Sequence, residues 1–139
     1  FTFKEARDLV TSRRYFGPMM VETGDADAMI SGFANRYPLV LSPALQIVGS
    51  REGVSKVAGM HILITKSGPL FLADTTVNHH LTAEDIAKIA ELEAYRVKGF
   101  NIEPRIALVT YSNFGSVPYG ESAMLMREAT NILHKKHPD

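Results

Sequence analysis

At 139 residues the chain has the length of one domain that buries about two thirds of its unfolded surface. Its 45% hydrophobic and 22% charged content is ordinary for a globular protein, and fifteen basic residues cancel fifteen acidic ones, so no bulk field draws it toward nucleic acid or a membrane surface. There is no cysteine, which excludes disulfides, thiolate metal sites and cysteine catalysis and fits a reducing, cytoplasmic setting.

Residues 3–14 are charged but carry Phe3, Ala6, Leu9 and Val10 on one stripe, which predicts an amphipathic helix. A second, short helix is expected over 16–22, with Gly17 and Pro18 near its start. After the turn at 25–27, residues 28–32 (AMISG) read as a short buried strand, and 33–38 as a loop. Residues 39–48 predict a helix in spite of Pro43, and 49–53 a turn.

Two apolar runs, 56–66 and 69–74, flank Ser67 and Gly68 and predict a β-hairpin. A loop over 75–81 leads to Thr82, Glu84 and Asp85, a capping signature that opens a helix running to Lys98 and Gly99. Residues 105–111, short and rich in β-branched and aromatic side chains, read as a buried strand. A small, polar loop follows over 112–120. Ala123, Met126, Ala129, Thr130 and Leu133 then recur at helical spacing, with His134, Lys135 and Lys136 in the last turn.

Strands alternating with helices, one hairpin apart, imply an α/β fold: a three-layer α/β/α sandwich around a mixed sheet. No apolar run reaches membrane-spanning length, and no signal peptide is seen. Phe1 opens the chain without an initiator Met and Asp139 closes it straight after a helix, so all of 1–139 is expected to be a piece of a longer polypeptide.

Strand, small-residue loop and helix over 105–136 form the unit that carries ligands in open α/β sheets, because the next helix aims unpaired N–H groups at the loop. The loop matches neither the phosphate-loop nor the dinucleotide pattern, and Ser112, Ser116 or Ser122 would equally serve as a helix cap. His79 and His80 are adjacent, and no partner at helical spacing completes a zinc set. His61 fits a hydrogen-bonded sheet residue. Asp74, closing an apolar run, is a general acid or base or else the cap of its loop. Arg13, Arg14, Arg36 and Arg51 are phosphate ligands by type, or solvated surface charges.

Several stretches together resemble the phosphate acetyltransferases: RRYFGPMM at 13–20, GDADAMISG at 24–32, PALQI at 43–47, ADTTVN at 73–78, AEDIA at 83–87 and FNIEPRIAL at 100–108. Within that group YSNFGS at 111–116 looks like the version behind the malate-oxidising domains of multifunctional NADP-dependent malic enzymes. The resemblance implies the sandwich of isocitrate and isopropylmalate dehydrogenases, of which this chain is the carboxyl-side part. It places Ser112, Asn113, Gly115 and Ser116 toward phosphate, Arg36, Tyr37 and Ser42 in an acetyl-phosphate pocket, and Asp74, Thr75 and Asn78 on another rim. Where the family has an arginine before Pro-Ala-Leu-Gln, this chain has Ser42, which lacks the bidentate charged fork.

The expectation is therefore a non-catalytic domain with acetyl-CoA as allosteric effector, a homodimer or higher homo-oligomer. It would be joined to malic enzyme domains of the same chain, which alone would hold NADP and a divalent metal. The alternatives are a working phosphate acetyltransferase and a purely structural dimerisation module.

Overall fold

The computed structural model describes residues 2–113, 116–117 and 119–138. The chain divides into two compact units, 1–55 and 56–139.

The first unit is helical. α1 (Phe3–Val10) opens on a capping box in which the Thr2 hydroxyl accepts from the Glu5 N–H and the Glu5 carboxylate accepts from the Thr2 N–H at 2.7 Å. The single helix expected over 3–14 is interrupted. The Thr11 hydroxyl donates to the Asp8 carbonyl, and Ser12 turns extended (ψ 128°). A new helix, α2 (Arg13–Glu22), starts there, three residues ahead of its expected start. Its Pro18, whose missing N–H forgoes one helix bond, is fully buried.

α3 (Tyr37–Ile47) starts two residues before expectation, with Pro38 in its first turn, where a fixed φ suits a helix. α2 packs on both α1 and α3, and the Tyr15 hydroxyl donates to Gln46 Oε1 across the α2–α3 pair at 2.9 Å. The strand expected over 28–32 does not form a ladder, and Ile30 is fully exposed. A lone extended segment leaves its N–H and C=O groups to water, so without a neighbouring strand it gains nothing from its β propensity.

The second unit begins with the predicted hairpin. β1 (Met60–Thr65) and β2 (Gly68–Ala73) pair antiparallel, Met60 with Ala73 through Thr65 with Gly68. The connection is Lys66 and Ser67, closed by the Thr65 hydroxyl, which donates to the Gly68 carbonyl and accepts from the Ser67 N–H. Gly68, at φ 117°, takes a conformation other residues avoid.

α4 (Ala83–Lys98) has the predicted Thr82–Asp85 capping box and ends at Gly99. Ala83, Ile86, Ala87, Ile89, Ala90 and Val97 give it most of the buried core. α5 (Glu121–Lys136) packs against it through Ala129, joined by Leu81, Leu108, Leu125, Met126 and Ile132. Glu91 on α4 accepts from Lys136 and pairs with His137, each at 3.1 Å.

Residues 105–111 correct a second strand expectation. Leu108 reaches the core, but the run carries no ladder, and Ile106, Val109 and Tyr111 are exposed. Among the described residues the sheet is two-stranded and antiparallel beside five α-helices, so the mixed sheet and three-layer sandwich extend no further here. Strand pairing needs a partner that periodicity within one run does not supply.

Candidate functional site

β2 ends in a strained corner. Asp74 holds a left-handed backbone (φ 48°), which only a local need sustains in a residue with a Cβ. Its N–H donates to the Gly59 carbonyl at 2.7 Å. One carboxylate oxygen accepts from Asn78 Nδ2 at 2.9 Å, and the same amide donates to the Val57 carbonyl. Beside them the Thr75 hydroxyl lies 2.6 Å from His61 Nδ1, so His61 is hydrogen-bonded, as expected of it. Asp74 and Asn78 are thus bonded to each other, and Thr75 beside them is bonded to His61.

Asp74 and Thr75 also line a largely apolar cavity of about 590 Å³, bounded by β2, the face of α4 and residues 102–109. Into this wall α4 sets Glu93. Asp74 Oδ2 and Glu93 Oε2 are both buried without a hydrogen-bond partner. Burial pushes the Glu93 pKa up, against the pull of Arg96 and with a contribution from Asp74. Sequence reasoning passed over Glu93. The signal was its position, four residues after Ile89 and four before Val97, on the buried stripe of α4.

The loop before α5 keeps its bonds to itself. The Ser112 hydroxyl accepts from the Val117 N–H at 3.1 Å, and the Ser116 N–H donates to the Asn113 carbonyl at 2.8 Å. Gly115 lies outside the described residues. None of Ser112, Ser116 and Ser122 caps α5, whose N-cap is Gly120 with no side-chain bond. Ser122 instead pairs with Thr110 at 2.6 Å. A Cβ on Gly120 would meet the hydroxyl of Tyr111, the tip of a largely exposed side chain that would have to move aside.

Arg36, Tyr37 and Ser42 belong to the first unit. Arg36 is the N-cap residue of α3 and Tyr37 its first residue, half exposed. Ser42 lies further along the helix, where its hydroxyl accepts from Gln46 Nε2 at 3.1 Å, a bond within α3 itself. Among the described residues no group of His, Asp and Glu is placed to hold a metal ion, and no helix is long and apolar enough to cross a membrane.

The family model described as phosphate acetyl/butaryl transferase matches residues 1–139. A phosphate acetyltransferase of Synechocystis sp. is 40% identical over 138 residues, 99% of this chain and 20% of that protein. An NADP-dependent malic enzyme of Escherichia coli is 38% identical over 133 residues, 96% of this chain and 17% of that protein. The EutD phosphotransacetylase from Staphylococcus aureus superposes with a TM-score of 0.77 at 29% identity, over 97% of this chain and 41% of that one. The chain therefore spans a fifth or less of these two curated relatives. With the match running from its first residue to its last, the chain belongs to the phosphate acetyl/butaryl transferase family.

Proposed function

We propose that this chain forms part of a phosphate acetyltransferase site, moving acetyl between CoA and phosphate. The observation that carries the reading is the family match over all 139 residues. In the direction of acetyl phosphate, a phosphate oxygen attacks the thioester carbonyl, a C–O bond forms, the C–S bond breaks, and CoA leaves as a thiolate that takes up a proton. Ser112, Asn113, Gly115 and Ser116 are the groups we assign to phosphate. Ser112 accepts from Val117 and keeps its hydroxyl hydrogen for an oxygen of the ligand. Asp74, Thr75 and Asn78 form the rim we assign to the thioester side. The α/β/α sandwich belongs to the same proposal.

A second reading, an acetyl-CoA-responsive and dimerising domain of a malic enzyme, draws on Ser42. In place of a fixed charge, α3 offers a hydroxyl that Gln46 already engages. The malic enzyme relative, at 38% identity, points the same way. Under it NADP and a divalent metal belong to other domains, and acetyl-CoA must bind two states of the enzyme unequally.

One experiment separates the two. Full-length protein is given acetyl-CoA and inorganic phosphate, and acetyl phosphate formation is followed beside malate-dependent NADP reduction. Acetyl phosphate formation, reduced at least about ten-fold by Ser112→Asp with Ser116→Asp, is the expected result. Its absence, together with inhibition of malate oxidation by acetyl-CoA, would replace the transferase reading with the regulatory one.

A further inference from the structure

β2 has a free edge. The Asp74 N–H bonds the Gly59 carbonyl and Leu72 stands opposite His61, so by the two-residue alternation of a strand Leu70 and Leu72 turn their main-chain groups to β1. Phe71 and Ala73 turn theirs the other way, and among the described residues no strand pairs with them. The cavity of about 590 Å³ runs along that edge, since every residue from 69 to 75 lines it and no residue of β1 does. Main-chain N–H and C=O groups that face an apolar cavity cost free energy unless something bonds them. Beyond Pro69 the edge carries neither charge nor proline to ward off pairing.

The side chains around the cavity define what fits. Ile86, Ile89 and Ala90 of α4 give it an apolar wall. Asp74 Oδ2 and Glu93 Oε2 are buried there without a hydrogen bond, and Arg105, which lines the same cavity, bonds neither. A matching occupant has main-chain groups at strand spacing and apolar side chains toward α4. It also has one donor side chain, a lysine, an arginine or an amide, toward the two carboxylates. A small apolar molecule meets only the second of these demands. The Synechocystis relative, of which this chain spans 20%, has ample further length to supply such a segment.

We propose that an extended segment of the parent polypeptide, from outside these 139 residues, adds to the free edge of β2 and brings a donor side chain to Asp74 and Glu93. Either functional reading leaves this standing, since its test reads packing and not turnover. Residue-resolved amide hydrogen exchange is measured on the full-length protein. The N–H groups of Phe71 and Ala73 should exchange within about ten-fold of the rate at Leu72, whose N–H faces β1. Glu93→Leu, which removes an acceptor from the incoming donor, should speed both by about ten-fold and leave Leu72 unchanged. A photoreactive p-benzoylphenylalanine in place of the half-exposed Ile106, on the cavity wall, should cross-link within one chain to a segment beyond these residues. Faster exchange than that at Phe71 or Ala73, or exchange unmoved by Glu93→Leu, overturns the proposal. A cross-link between two copies, within residues 1–139, or to no peptide at all overturns it too.

Discussion

Glu93 carries an oxygen cut off from both water and any hydrogen-bond partner, and its pKa is raised mainly by burial. The folded chain therefore holds this proton to higher pH than the unfolded chain does. Stability from the group is fully present below the ordinary carboxylate range and is lost as pH rises through the raised value. Glu93→Gln removes that dependence. Differential scanning fluorimetry should show a higher melting temperature at pH 7, by about 1–2 °C after solvent screening, and no gain at pH 4. Glu91 behaves in the opposite sense: burial works against its ionisation, but bonds from His137 and Lys136 together hold its pKa below the usual value. Glu93 and Glu91 lie two residues apart on one helix, and composition gives no means of telling them apart. Only the face that α4 turns to the core does so.

α4 is the element where local and tertiary demands agree. Its cap, its apolar spacing and its terminal Gly99 were legible in the chain because each acts within a turn or two. The Thr82 N–H holds the Asp85 carboxyl below its ordinary value, the signature of a closed capping box. Thr82→Ala should lower stability by about 1 kcal/mol, and Ile86→Ala, which opens a hole against Ala83 and Ala129, by about 2–4 kcal/mol; urea denaturation measures both. The hairpin was legible as such, but its turn lies one residue earlier than the expected Ser67 and Gly68, at Lys66 and Ser67, so that Thr65 pairs with Gly68. Runs 28–32 and 105–111 were not. Each has the composition of a strand, but a strand exists only when some other segment offers its hydrogen bonds. Of the residues singled out for the site, Asp74 and Asn78 are bonded to each other, while the hydroxyls of Ser112 and Ser42 accept from Val117 and Gln46.

Across the whole chain, large apolar side chains lie open in both units. Ile30 and Phe33 stand out in the first, and in the second Leu63, Leu70 and Leu72 share one face of the hairpin by its register. Apolar groups on one face of a two-stranded sheet are what a covering layer removes from water, and a naked face of this kind invites association. At tens of micromolar the chain should exceed its 15.3 kDa monomer mass by multi-angle light scattering. Leu70→Lys should shift it toward that mass without loss of helix content. An unchanged mass distribution would show that the hairpin face is not the sticky one.

The turn at Lys66 and Ser67 has a practical corollary. Its closure rests on the Thr65 hydroxyl and on main-chain groups, so the Ser67 side chain carries none of these bonds. In a chain without a single cysteine, Ser67→Cys would create the sole thiol, a chemically unique handle at the tip of the hairpin. A fluorophore attached there would turn this hairpin into an optical reporter, readable in a protein that has no tryptophan of its own.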